Sequence, residues 1–311
     1  MVKCKVCEKE FDDYTALHRH LRSHKMLLVD YYHKYYPKKD LLTNEFIKFK
    51  NREQYLSDDF NTKTNLKKWL KSLHKEKAQE YCEAILLKRK EDKGIKYAPS
   101  QVELRSLLSP PTQYFNEIFS DYYDLCDRLG LENKYTNPKE IIDGKWKANE
   151  GHEILIDTRE QKPLKFEGRK TQVVTLKFGD YAFSNEEVSC GCCIERKSLS
   201  DFIGTMSGGY ERFVKEIERS QEENAYLVIL VEESLQNALS FKYLPYISKK
   251  IKATPEFIFH RVRGLVQKYP RIQFLFVNGR KESSRIIELI FTSNCVHEKI
   301  DLQLAYDNKF L

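Results

Sequence analysis

Apolar residues along this chain follow two rhythms, and the change between them falls near residue 150. From residue 25 onward, apolar positions recur at helical spacing among many Lys and Tyr residues, with few glycines. Trp69, Leu70, Leu73, Ile85, Leu86 and Leu87 mark one helical stretch. Ala98-Pro99-Ser100 opens a second, which runs through Leu104, Leu107, Leu108, Tyr114, Phe119, Tyr122 and Leu125 to Leu129-Gly130-Leu131. Asn137-Pro138, followed by Asp143-Gly144, reads as a linker. From residue 152 the pattern becomes short apolar runs: 152–157, 171–178, 188–194, 226–231 and 272–277. Helical patterns over 210–222, 256–268 and 281–292 alternate with them. Strands alternating with helices predict an α/β sheet.

Charge and cysteine content narrow the classes. The chain has 53 Lys+Arg against 46 Asp+Glu, a formal +7, the sign a nucleic-acid partner requires. Residues 61–96 concentrate the excess, with 11 Lys/Arg against 5 Asp/Glu, so a basic helical face there suits a phosphate backbone or simply a solvated surface. No apolar run reaches the ~20 residues of a membrane span, and Met1-Val2-Lys3-Cys4-Lys5 does not open a secretory leader. The expectation is an intracellular protein without a membrane partner, placed in the cytoplasm, or in the nucleus of a eukaryotic host. Its eight cysteines are then expected reduced or metal-bound.

Metal binding is read first at the N-terminus. Cys4 and Cys7 are two residues apart, twelve residues lead on to His20, and three more to His24, with Phe11 and Leu17 between the pairs. Zinc takes four tetrahedral N/S ligands, and two histidines one helical turn apart point the same way. A unit of ~25 residues cannot bury enough surface alone, so one structural Zn²⁺ must hold it. The segment resembles a two-cysteine, two-histidine zinc finger. His18 fits the spacing less well. The positions facing bases in DNA-reading fingers are here Asp13, Ala16 and Arg19, and only Arg19 is a strong base reader. Weak DNA contact and a protein partner both stay open for the finger.

The catalytic candidates lie at the predicted strand ends. Asp157, Asp180 and Glu195 are hard oxygen ligands of the kind that hold Mg²⁺ or Mn²⁺. Glu195 and Lys197 are two residues apart in a strand and share a face, while Arg196 points the other way, toward sheet packing or an ion pair. Gly208-Gly209-Tyr210 opens a helix on which Arg212, Lys215 and Arg219 share a face suited to DNA. Cys190, Cys192 and Cys193 read as packed thiols, and His260 as a packed histidine in an apolar helix.

Three strings occur in one order: Ile156-Asp157-Thr158-Arg159-Glu160, then Gly179-Asp180-Tyr181, then Ile194-Glu195-Arg196-Lys197-Ser198-Leu199-Ser200-Asp201-Phe202-Ile203. Together they resemble the nuclease domain of the XPF/Hef family of structure-specific endonucleases, a branch of the PD-(D/E)xK restriction-enzyme-like fold, over roughly residues 152–293. The resemblance implies Asp180 and Glu195 as ligands of a catalytic Mg²⁺ or Mn²⁺, with Lys197 catalytic. Asp157 matches as a further catalytic and ligand position, Arg159 as a DNA contact, and Glu160, Arg196 and Asp201 as supporting positions. It also implies branched DNA as substrate and a homodimer through the nuclease domain. Against the family pattern, the chain has no Gly-x-Gly, which its C-terminal helix-hairpin-helix repeats use, and only about 20 residues follow the last helix. It also lacks a Gly-x-x-x-x-Gly-Lys phosphate loop.

The expected architecture is therefore a zinc finger over 1–25, a mostly helical segment over 26–140 whose basic face is open to either DNA or solvent, a restriction-endonuclease-like domain with a central mixed sheet and flanking helices over 150–295, and a tail over 296–311. The expected activity is metal-dependent hydrolysis of DNA, with a non-catalytic DNA-binding adaptor as the alternative. Three convergent carboxylates favour the first, because they would repel phosphate in a protein that only binds.

Overall fold

The structure is a computed structural model that describes residues 1–38, 46, 48, 49, 51, 70, 71, 73–107, 109–138, 153–184, 191–248, 250–293 and 295–311. Trp69, Asp143-Gly144, Cys190 and most of the basic stretch before residue 70 lie outside them. The chain divides into two units: Met1–Arg89 with Leu108–Pro110, and Lys90–Leu107 with Pro111–Leu311.

The first unit opens with a hairpin of β1 (Val2–Lys3) and β2 (Glu10–Phe11), antiparallel with Val2 opposite Phe11. α1 (Tyr14–His20) follows, its first turn closed by Asp13, whose carboxylate accepts from the Ala16 amide at 2.7 Å. A tighter 3-10 turn, Leu21–His24, continues it. α2 (Leu28–Tyr35) completes the unit's small core: Tyr31 is fully buried with Cys4, Leu17 and Leu21, and its hydroxyl accepts from the Lys5 amide at 3.0 Å. α3 (Lys75–Lys93) buries Ala78, Tyr81, Cys82, Ile85 and Leu86, an i, i+3, i+4, i+7, i+8 stripe.

The second unit is built on a six-stranded mixed sheet ordered β4-β3-β5-β6-β7-β8, formed by β3 (Ile154–Asp157), β4 (Thr171–Val174), β5 (Tyr181–Phe183), β6 (Cys192–Lys197), β7 (Tyr226–Val231) and β8 (Ile272–Phe276). β5 runs antiparallel to both its neighbours, and the other pairs are parallel. This is the α/β architecture expected. β7 and β8 are buried along their whole length, as central parallel strands covered on both faces must be. Side chains of β7 alternate between two cores. Leu227, Ile229 and Val231 pack with α7 (Leu199–Ser207), α8 (Tyr210–Glu222) and α10 (Pro255–Lys268), which follows the short α9 (Leu235–Ala238). Tyr226, Val228 and Leu230 pack with α11 (Arg280–Phe291) and α12 (Leu302–Asp307). Among the described residues no helix is long and apolar enough to cross a membrane.

The expected segment boundaries are redrawn here. The helices α4 (Gln101–Ser106), α5 (Thr112–Ile118) and α6 (Tyr122–Arg128) fall within the sheet unit. Val102 enters the core formed by α7, α8 and α10. The Gln101 amide donates to the buried carboxylate of Asp301 at 2.6 Å, Lys134 Nζ donates to the Val266 carbonyl at 2.8 Å, and Thr136 pairs with Ile300 in a parallel bridge. Residues 296–311 are likewise no tail. Ile300, Leu302, Ala305 and Leu311 lie in the second core, and Gln303 accepts from the Phe276 amide at 2.8 Å. Local periodicity located these helices, but it carries no information about which distant apolar face they cover.

A truncation tests this partition. Residues 90–311 are expected to unfold in one transition. Residues 151–311 lose the Val102 contacts and leave Asp301 without its Gln101 donor, a cost of roughly 3 kcal/mol or more. Equal denaturation midpoints for the two fragments would contradict it.

Two further expectations change. His260 is exposed, and among the described residues the deeply buried histidine is His297. Cys82, Cys126, Cys192 and Cys193 carry free thiols, whereas Cys295 is disulfide-bonded.

Candidate active site

The site is laid out where β3, β5 and β6 meet. Gly179 has φ +73°, and a Cβ there would sit 3.1 Å from both the Cys193 Cβ and the Ile194 carbonyl oxygen, so only glycine lets the chain press onto β6. The Asp180 amide then donates to the Ile194 carbonyl at 2.7 Å, and the Asp157 amide donates to the Asp180 carbonyl at 2.9 Å. This delivers Asp180 beside Glu195. One oxygen of Asp180 accepts from the Arg196 amide at 2.7 Å.

Glu195 and Lys197 share a face of β6, and the Lys197 ammonium donates to Glu195 at 2.7 Å with both side chains mostly buried. Arg196 goes to the opposite side, between the carboxylates of Glu160 and Glu232, each at 2.8 Å. A cleft of about 310 Å³ is lined by Asp180, Glu195 and Lys197 together with Arg159, Arg212, Glu216 and Arg219.

Burial raises the Asp180 carboxyl to about 7, reinforced by the charge of Glu195. Burial also raises Glu195, and Glu216 adds to it while Lys197 opposes. Two carboxylates that resist simultaneous ionisation in a half-buried cleft match the donor chemistry of a hard divalent cation, whose charge would relieve both. The residues present fit such an ion, with Asp180 and Glu195 as the carboxylates facing it.

Asp157 does not join them. It is 1% exposed, and its two oxygens accept from the Arg159 backbone amide and guanidinium and from the Leu176 amide, at 2.6–3.2 Å. Burial pushes its carboxyl up, but these hydrogen bonds outweigh that and hold it below the ordinary carboxylate value. Its place is as the anchor that aims Arg159 at the cleft. Glu160 accepts from Arg196 and from the Lys162 amide. Ser198 caps α7, its hydroxyl accepting from the Asp201 amide at 3.2 Å and donating to the Asp201 carboxylate at 2.7 Å, and Asp201 does not line the cleft.

On α8, Arg212 and Arg219 line the cleft, whereas the exposed Lys215 does not. Between them stands Glu216, which motif reading passed over. Its position four residues after Arg212 was the signal available.

In the first unit, Cys4, Cys7, His20 and His24 bring one ligand atom each within 4.8 Å of one another. Cys4 Sγ lies 3.6 Å from His24 Nε2, Cys7 Sγ 3.2 Å from His20 Nε2, and the two Nε2 atoms are 3.0 Å apart. These approach the ~3.3–3.8 Å edges of a zinc tetrahedron with S and N ligands. His18 is turned aside, its Nε2 lying 2.8 Å from the Tyr32 hydroxyl. Among the described residues this is the one group of three or more His, Cys, Asp or Glu gathered closely enough to hold a metal. Arg19 is exposed on α1, while Asp13 is occupied as the helix cap.

Residues 156–290 match the family model of the ERCC4 domain, which supports an XPF-type nuclease domain in the second unit. Two solved structures are similar: XPF from Aeropyrum pernix, and the same protein described as a complex with DNA. Each is 21% identical and aligns over 44% of this chain, with a TM-score of 0.34. The match spans 64% of the first solved chain and 62% of the second, less than two thirds of either. Among curated proteins none matches the chain significantly.

Proposed function

We propose that this chain is a metal-dependent DNA endonuclease acting at branched or otherwise structured DNA. The observation that supports it most is the pairing of Asp180 and Glu195 with Lys197 inside a cleft edged by Arg159, Arg212 and Arg219. A divalent cation held by Asp180 and Glu195 would polarise the phosphoryl oxygen and lower the pKa of a bound water. The Lys197 ammonium, already held by Glu195, is placed to stabilise charge building on the phosphate. Arg159, whose Nε and Nη2 are held by Asp157, would offer its Nη1 to a flanking phosphate, and Arg212 and Arg219 on α8 would orient phosphates bidentately, as guanidinium groups do. Arg196 keeps β6 in register by bridging Glu160 and Glu232 on the far side.

Zinc in the first unit is structural in this reading, and the finger places the enzyme on DNA or on a protein partner. Homodimerisation through the nuclease domain remains part of the proposal. The alternative of a binding-only adaptor is weaker, because two carboxylates aimed into a cationic cleft oppose phosphate binding without a metal.

The test is a cleavage panel of linear, flapped, forked and Holliday-junction DNA with Mg²⁺ or Mn²⁺. The expected result is scission of a branched member at the junction and none in chelator. No cleavage of any member by zinc-replete full-length protein, despite DNA binding, would favour the adaptor.

A further inference from the structure

Beside the cleft lies a side-chain stack that the chemistry above does not use. Phe257, in the first turn of α10, is 44% exposed. Arg261, one turn further along, lays its guanidinium 4.4 Å from the centre of the Phe257 ring and 4.2 Å from that of Tyr210, at the start of α8. The same guanidinium donates to the carbonyls of Met206, at 2.9 Å, and Ser207, at 2.7 Å. Those carbonyls close the C-terminal end of α7, the negative end of its dipole, where a cation is favoured. Tyr210, Arg261 and Phe257 thus form three layers, fixed from within and open to solvent at the Phe257 end.

The stack adjoins the cleft along the chain. Thr205 and Gly209 line the cleft, Met206 and Ser207 directly follow the first, and Tyr210 directly follows the second. Capping α7 requires only the guanidinium. It does not require a large apolar ring at an exposed helical position, where any polar residue would serve. A ring backed by a cation is instead the arrangement on which a nucleobase stacks, because every base presents a π-face. Paired bases are stacked inside the duplex and offer only their edges. The charge around the stack suits a phosphate backbone: Arg212 and Arg219 in the cleft, and the exposed Lys250 and Lys252 in the chain leading into α10.

The geometry points to Phe257, backed by Arg261 and Tyr210, as a platform for one unpaired nucleobase of a DNA strand whose backbone enters the cleft. This rests on the nuclease reading and adds to it a residue that selects unpaired DNA beside the scissile phosphate.

The experiment uses the full-length, zinc-replete chain with Glu195→Gln, so that binding is read without cleavage. Its affinity for a short single strand carrying 2-aminopurine is compared with that of the same protein bearing Phe257→Ala or Phe257→Trp. Phe257 is half-exposed, so both variants should melt with the parent. Losing one base–aromatic stack should weaken single-strand binding at least about fivefold, and by more than it weakens binding to a blunt duplex. The 2-aminopurine fluorescence should be quenched by the parent and the Trp variant but not by the Ala variant. Equal single-strand affinity and equal quenching in the Ala variant would overturn the platform while leaving the nuclease reading standing. Failure of the parent itself to bind any DNA would overturn both.

Discussion

Glu195→Gln is expected to reduce DNA cleavage by about a thousandfold or more while leaving DNA affinity within a few-fold of the parent. Glu195 is mostly buried, hydrogen-bonds Lys197 at 2.7 Å and faces Asp180 across β5 and β6. Removing its charge takes away one of two carboxylates and frees the ammonium that the site aims at the phosphate. Asp180→Asn and Lys197→Met should fall to a similar level, and pairing them with Glu195→Gln should add little, as residues acting in one unit do. In the proposed function DNA binding rests on Arg159, Arg212, Arg219 and the stack at Phe257, none of which these changes replace. Asp157→Asn should behave differently. Its carboxylate holds Arg159 and the Leu176 amide, so the loss should appear in thermal stability and DNA affinity as well as in rate. Near-normal cleavage by Glu195→Gln protein, free of contaminating nuclease, would remove the basis for the site.

Chelating zinc is expected to unfold the first ~36 residues and leave the sheet unit intact. The finger's core consists of Cys4, Leu17, Leu21 and Tyr31, too few side chains to hold a fold unaided. Structural zinc in such modules contributes about 10–16 kcal/mol at neutral pH, so without it the finger should be open. The sheet unit has its own two cores and should keep its thermal transition. Native mass spectrometry should find one Zn²⁺ per chain, lost on Cys4→Ser or His24→Ala. Limited proteolysis after chelation should cut within residues 1–36 first. Absence of zinc from protein prepared without chelators, or unchanged protease resistance on its removal, would contradict this.

How far the sequence could be read varied with the kind of pattern involved. β7 and β8 were plain because their every residue is buried, so an unbroken apolar run is their only pattern. The run read over 171–178 stops at Val174, since Thr175 to Phe178 carry the chain into the Gly179 turn. Of the apolar stretch 188–194, residues 188–190 lie outside the described residues and Cys192–Ile194 open β6, which runs on through Lys197 and so carries Glu195 and Lys197 within the strand. Asp157 and Asp180 looked equivalent because both follow or precede a strand. What separates them in the structure is Arg159, two residues beyond Asp157, whose guanidinium donates to that carboxylate, whereas Asp180 lines the cleft. Strand periodicity reports the face a side chain occupies, not the donor that reaches it first. Glu216 and Val102 were missed for a related reason. Each contributes across a tertiary contact, and only the fold brings that contact about.

The most direct test of the central claim is a side-by-side cleavage assay of wild-type and Glu195→Gln chains, purified identically, on a labelled forked DNA with Mn²⁺, Mg²⁺ or chelator. The account predicts scission by the wild-type chain with either metal, none in chelator, and none by the variant although it still shifts the DNA. Equal scission by both chains, or scission by neither with DNA bound by both, would contradict it.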